Sequence, residues 1–132
     1  MHRGSCLCGA VAFVVEGALP PASACHCTQC RKHTGHHEAG VDVPRTAVTV
    51  TGASHVTWYF SSERVRRGFC AICGSSMFFD ILGVDRIGLN LGSFDGPTHT
   101  RIALHIFVAD KGDYYDITDG LPQYAQVPGR PA

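Results

Sequence analysis

Short apolar runs broken by polar turns set the character of this chain. Ala10 to Val15 (AVAFVV) is valine-rich and bounded by Gly9 on one side and by Gly17 to Pro21 on the other, which predicts a strand. Glu38 to Val43 and Ala47 to Thr51 predict two more, split at Pro44. In Val48-Thr49-Val50-Thr51 the period is two, so one face should be buried. His55 to Phe60 (HVTWYF) is β-branched and aromatic, again strand-like. Met77 to Leu82, Arg86 to Leu91 and Ile102 to Val108 continue the pattern. Strands this short, separated by Gly, Pro and Ser turns, imply a mainly β architecture, a sandwich or an open barrel. The one helical candidate is Thr28 to His33, with Thr28 as the expected N-cap and Gly35 in the left-handed position that ends it. Pro122 to Ala132 has few apolar residues and is expected to be a partly ordered tail.

The 132 residues fit one domain, and 45% hydrophobic content is enough for one core. Eleven basic residues balance eleven acidic ones, which argues against a partner recognised by bulk charge, such as nucleic acid. No run of 18 apolar residues is present to span a membrane as a helix, and the first residues lack the apolar stretch of a signal peptide. A cytoplasmic location is the resulting expectation, and thiols stay reduced there.

Seven cysteines change the picture more than any other feature of composition. Their odd number cannot pair completely within one molecule, and clustered cysteines in a reducing compartment read as metal ligands or catalytic thiols. Cys6-Leu7-Cys8 and Cys70-Ala71-Ile72-Cys73 are each followed by a glycine, Gly9 and Gly74. A tight chelating turn needs amides aimed at sulfur, and glycine accepts the positive φ this requires. Two such turns supply the four thiolates that a tetrahedral zinc prefers. Cys70 stands 62 positions beyond Cys8, so one ion would tie early strands to late ones. A structural zinc contributes about 10–16 kcal/mol of apparent binding free energy in small peptides. Net domain stability is only about 5–15 kcal/mol, so this ion is expected to be structural. The alternative is four buried thiols without metal.

The second cluster is Cys25-His26-Cys27-Thr28-Gln29-Cys30. Three thiols within six residues grip an ion from one side and leave its fourth position to water, an exogenous thiol or a local histidine. Three thiolates on a divalent ion carry a net charge of −1, which Arg31 and Lys32 can offset. His26 is expected to point away from the metal, being flanked by ligands of opposite orientation. His33, His36 and His37 form a polar cluster downstream, read either as a solvated loop or as proton-transfer groups near the ion. His105, between Leu104 and Ile106, reads as a satisfied core histidine. A redox dithiol is the zinc-free alternative for the trio.

Taken in order, these motifs resemble the glutathione-dependent formaldehyde-activating (GFA) enzymes, a family grouped with centromere protein V. Gly4-Ser5-Cys6-Leu7-Cys8-Gly9-Ala10-Val11 is similar to its opening GxCxCGxV, and Cys25 to Lys32 to its CHCxxCRK. Phe69-Cys70-Ala71-Ile72-Cys73-Gly74-Ser75 is similar to its FCxxCGS. His105-Ile106-Phe107-Val108 with Asp119-Gly120-Leu121-Pro122 resembles its closing stretch. The resemblance covers residues 3–124, with 125–132 as a tail. It implies an Mss4-like fold of zinc-stabilised folded β-sheets with one short helix. It further implies two zinc ions, a structural one on Cys6, Cys8, Cys70 and Cys73 and a second on Cys25, Cys27 and Cys30. The activity implied is that of a carbon–sulfur lyase joining a small thiol such as glutathione to an aldehyde, formaldehyde in the family's name. A non-catalytic binding module or a thiol or metal sensor of the same fold is the alternative. Asp110 to Tyr115 departs from the family by carrying tyrosines where members often have a tryptophan.

Overall fold

A computed structural model describes residues 1–128, so only part of the expected tail is described and residues 129–132 lie outside it. The elements run β1 (His2–Ser5), β2 (Ala12–Val15), β3 (Ala22–Cys25), α1 (Thr28–Thr34), β4 (Glu38–Pro44), β5 (Val48–Thr51), β6 (Val56–Phe60), β7 (Val65–Cys70), β8 (Ser76–Ile81), β9 (Arg86–Asn90) and β10 (Ile102–Ile106). Strands β1, β2 and β5 form one sheet, and the other has the order β10-β3-β4-β9-β8-β7-β6. The protein is therefore mainly β with a single α-helix among the described residues.

The chain divides into two compact units. The first combines Met1–Pro20 with Val41–Thr100, and the second combines Pro21–Gly40 with the chain from Arg101 onward. Strand β4 belongs to both, its first three residues to the second unit and the rest to the first.

In the first unit, β2 pairs antiparallel with β1 and with β5. The alternation of Ala12-Phe13-Val14-Val15 places Phe13 and Val15 inward, and both are buried. Phe13 meets Phe78 and Phe94 edge to face, with ring centroids 6.0 and 5.2 Å away. Val11, Val41, Val43, Met77 and Leu89 complete an aliphatic core.

The second unit is built differently. Strand β3 pairs parallel with β10 (Ala24 with His105, Cys25 with Ile106) and antiparallel with β4 (Cys25 with Glu38). Its buried side chains are small or polar: Ala22, Ala24, Cys30, His26, Glu38 and His105. Hydrogen bonds and sulfur chemistry must carry what the apolar core carries in the first unit.

Some sequence expectations shift. The helix N-cap is Cys27, not Thr28: its sulfur accepts from the Cys30 amide at 3.3 Å, and Thr28 is already helical. Gly35 ends the helix in the left-handed region, φ 90°, as expected. Strands β1, β3 and β7 were not anticipated. The stretch after Leu121 is less free than its composition implies. Tyr124 donates its amide to the His105 carbonyl, and Phe107 donates to Gln126, so these residues run alongside β10.

Candidate metal centres

The four-cysteine cluster lies wholly in the first unit. Cys6 follows β1, Cys70 ends β7, and Cys8 and Cys73 sit on the two turns. Gly9 and Gly74 adopt φ of 81° and 79°, the conformation their place after each chelating turn called for. Amides aim at the sulfurs: Val11 N–H donates to Cys6 Sγ (3.3 Å), and Ile72 and Cys73 N–H donate to Cys70 Sγ (3.4 and 3.5 Å). Ser75 Oγ lies 3.2 Å from Cys73 Sγ and accepts from the Leu7 amide, linking the two turns. That contact is the main reason the Cys73 thiol is pulled down to about 5. The four sulfurs lie within 4.8 Å of one another, with Cys6–Cys8 at 3.6 Å and Cys8–Cys70 at 3.8 Å. A tetrahedral ion with sulfur at about 2.3 Å requires edges of about 3.8 Å, so spacing and donor type fit zinc.

Cys25, Cys27 and Cys30 form the second cluster, within the second unit. Cys25 ends β3, Cys27 caps α1, and Cys30 lies one turn later, buried. All seven cysteines are free thiols, so neither cluster is spent on disulfides. Sulfur neighbours dominate the ionisation of Cys25 and Cys30. The contact with Cys27 is the main cause that pushes Cys25 up to about 11. Cys30 is driven far higher by Cys25 and Cys27, then by burial and the Glu38 charge. Three soft donors this close are compatible as thiolates once a divalent cation stands among them. The donor set therefore fits a metal ion held on three sulfurs.

Glu38 is a site residue the sequence reading missed. Its pairing with Cys25 across β3 and β4 puts both side chains on one face of the sheet. Its buried carboxylate accepts from the Cys30 thiol at 3.1 Å. Glutamate at the start of a strand carries no signal of this kind; only the register reveals it.

The next residue in β3's path faces the other way. His26 is buried and both its ring nitrogens are engaged, Nδ1 with Tyr115 Oη at 2.7 Å and Nε2 with His105 Nδ1 at 2.9 Å. It is not placed to ligate the trio's metal, in line with the expected orientation. Burial, with His37, His105, His36 and Lys111 nearby, pushes it down to about 4 and keeps it neutral at pH 7. His105 is a satisfied core histidine, its Nε2 lying 2.7 Å from Asp119 Oδ2. His37 lies tilted against His26, ring centroids 5.0 Å apart, and is likewise lowered by burial, and its Nδ1 is buried with no hydrogen-bond partner among the described residues. His36 is exposed and packs on His37 and Tyr115, at 4.3 and 4.5 Å. His33 stays on α1. His36 and His37 thus pack with His26 and Tyr115.

No helix among the described residues is long and apolar enough to cross a membrane.

Comparison with known proteins places the chain among relatives. The chain is 35% identical over 125 residues to a Halomonas elongata protein provisionally named a glutathione-dependent formaldehyde-activating enzyme, a match covering 87% of this chain and 80% of that one. It is 27% identical over 119 residues to an uncharacterized lyase of Schizosaccharomyces pombe, covering 89% and 86%. The crystal structure of a Rhodobacter sphaeroides protein superposes with a TM-score of 0.62 at 24% identity, over 76% of this chain and 98% of that one, and shows a shared fold. The profile of the glutathione-dependent formaldehyde-activating enzymes matches residues 1–110, which include all seven cysteines, and the chain belongs to that family.

Proposed function

We propose that this protein is a zinc-dependent carbon–sulfur lyase or synthase that interconverts a small thiol and an aldehyde with their S-hydroxymethyl-type adduct. Glutathione and formaldehyde are the first pair to test, since they name the family. The observation that carries the reading is the trio itself. Cys25, Cys27 and Cys30 converge within 4.8 Å, and three protein donors leave the fourth position of a tetrahedral ion to an outside ligand.

When bound, the zinc would favour ionisation of a thiol and polarise a carbonyl as a Lewis acid. In the synthetic direction the thiolate sulfur bonds to the aldehyde carbon. The carbonyl π pair moves to oxygen, and that oxygen takes up one proton, replacing the one the thiol lost. The lyase direction is the reverse. The chain's own residues hold the reactants' charge in place. Glu38 stands ready to receive the proton that Cys30 gives up, at 3.1 Å. Arg31 and Lys32 follow the trio on α1 and offset its negative charge. The cysteine quartet has no such part, because four protein thiolates close the coordination of a tetrahedral ion.

Exchange NMR on mixtures of glutathione and formaldehyde tests the proposal. Zinc-loaded protein should speed interconversion of the free thiol and the hydroxymethyl adduct above buffer, and Cys27→Ser should abolish the gain. A two-zinc protein that leaves the exchange at the buffer rate, with glutathione and with a panel of other thiols and aldehydes, would overturn the enzyme reading and leave a binding module.

A further inference from the structure

Four side chains of the second unit form one hydrogen-bonded series: Tyr115 Oη to His26 Nδ1 (2.7 Å), His26 Nε2 to His105 Nδ1 (2.9 Å), and His105 Nε2 to Asp119 Oδ2 (2.7 Å). Its direction follows from donor and acceptor chemistry. An ionised carboxylate only accepts, so His105 donates from Nε2, and in that neutral tautomer its Nδ1 is left as acceptor. His26 must then donate from Nε2, which leaves its Nδ1 to accept the tyrosine O–H. Every link is met with both imidazoles neutral. Asp119 itself is anchored, its Oδ1 accepting from the Leu121 amide at 3.0 Å.

The series grips the chain at a specific place. His26 lies between Cys25 and Cys27, and its amide also donates to the Ile106 carbonyl at 2.9 Å. Three bonds therefore fix the one residue that links two of the trio's sulfurs. Nothing apolar could do this job here, because the buried residues of this unit are alanines, one cysteine and polar groups.

We propose that Tyr115 and Asp119 are positioning residues of the cysteine trio, acting through His26 and His105 to hold Cys25 and Cys27 in the geometry that retains a metal ion. This rests on the trio binding metal, as the proposed function requires, but not on any reaction there. Partners that orient ligands without touching the metal typically change metal affinity about 10–100-fold when removed. An effect relayed through the backbone belongs near the lower end.

The test follows transfer of zinc from the fully loaded protein to a chromophoric chelator. Two release phases are expected, and the one missing in Cys27→Ser belongs to the trio. Asp119→Asn and Tyr115→Phe should each speed that phase about tenfold and leave the other unchanged. Asp119→Glu should restore the parent rate. Long-range ¹⁵N NMR of the loaded protein should show His105 and His26 in the Nε2–H form, and Asp119→Asn should disturb both signals. Tyr115→Phe keeps the ring and removes only the hydroxyl, so it covers the case in which the Asp119 variant does not fold. Unchanged release in the variants, equal acceleration of both phases, or a parent protein that binds only one zinc would each overturn the proposal. Catalytic turnover plays no part in this readout. Accelerated release together with absent turnover would sink the proposed reaction and leave this inference standing.

Discussion

Gly4 shows how little room a single position leaves. It faces Phe13 across β1 and β2, and a β-carbon there would come within 2.2 Å of the phenyl ring. Phe13 cannot retreat, because Phe78 and Phe94 bracket it. Gly4→Ala should therefore cost about 1–3 kcal/mol, the usual range for overpacking a well-filled core. Urea denaturation should show a lower midpoint at unchanged slope. Residue-level chemistry was legible where the side chain itself carries the signal. Seven cysteines at CxC, CxxC and CxCxxC spacing announced their grouping, and the structure assembles the same two clusters. Glu38, Tyr115 and Asp119 were not legible as site residues, because an acid or a phenol gains its role only from the partner that folding delivers.

At the scale of elements, apolar runs marked β2, β4, β5, β6, β8, β9 and β10 to within a few residues. The strands that escaped notice lack such runs for physical reasons. Strand β1 (HRGS) buries only a glycine, and β3 (ASAC) buries alanines too small to register. Strand β7 (VRRGFC) carries two arginines that its neighbours accommodate. Arg66 donates to Asp80 Oδ2 at 2.7 Å across β7 and β8 and lies 4.0 Å over the Trp58 ring. Arg45 completes the pairing on Asp80 Oδ1, and the carboxylate is 1% exposed. Burial alone would push Asp80 up, but the hydrogen bonds and charges of Arg45 and Arg66 outweigh it and hold the group below its ordinary 3.8. A depressed acid binds protons less readily folded than unfolded. The stability it confers is complete above pH 3.8 and disappears as the pH falls below that value through the lowered native range. Asp80→Asn should flatten the acid limb of a pH–stability curve in that window, and it should cost about 1–3 kcal/mol at pH 7 by removing the charged partner shared by Arg45 and Arg66. Both effects are read from denaturation curves recorded between pH 2 and 7.

For the whole molecule, the two cysteine clusters fall one to each unit, which gives metal loss two separable outcomes. Cys73→Ser removes one of the four donors that would hold an ion between the turns after β1 and β7. Structural zinc contributes about 10–16 kcal/mol in small peptides, more than most domains can spare, so this variant should be largely unfolded at room temperature. Cys27→Ser should lose one zinc per chain while retaining the far-ultraviolet circular dichroism of the parent. Titration with a strong chelator should reproduce the division: a first ion leaving with little spectral change, a second leaving with collapse of the β signal. Simultaneous loss of both signals would contradict the assignment of a structural quartet and an open trio.

The discontinuous first unit has a consequence for biosynthesis. Cys6 and Cys8 come from its leading piece and Cys70 and Cys73 from its later one, with the trio in the segment between them. As the polypeptide leaves the ribosome, Cys25, Cys27 and Cys30 emerge together, long before Cys6 and Cys8 meet their partners. The nascent chain therefore exposes three clustered thiols early and two waiting ones for longer, and an ion held by the quartet would be the last to find its full set of ligands.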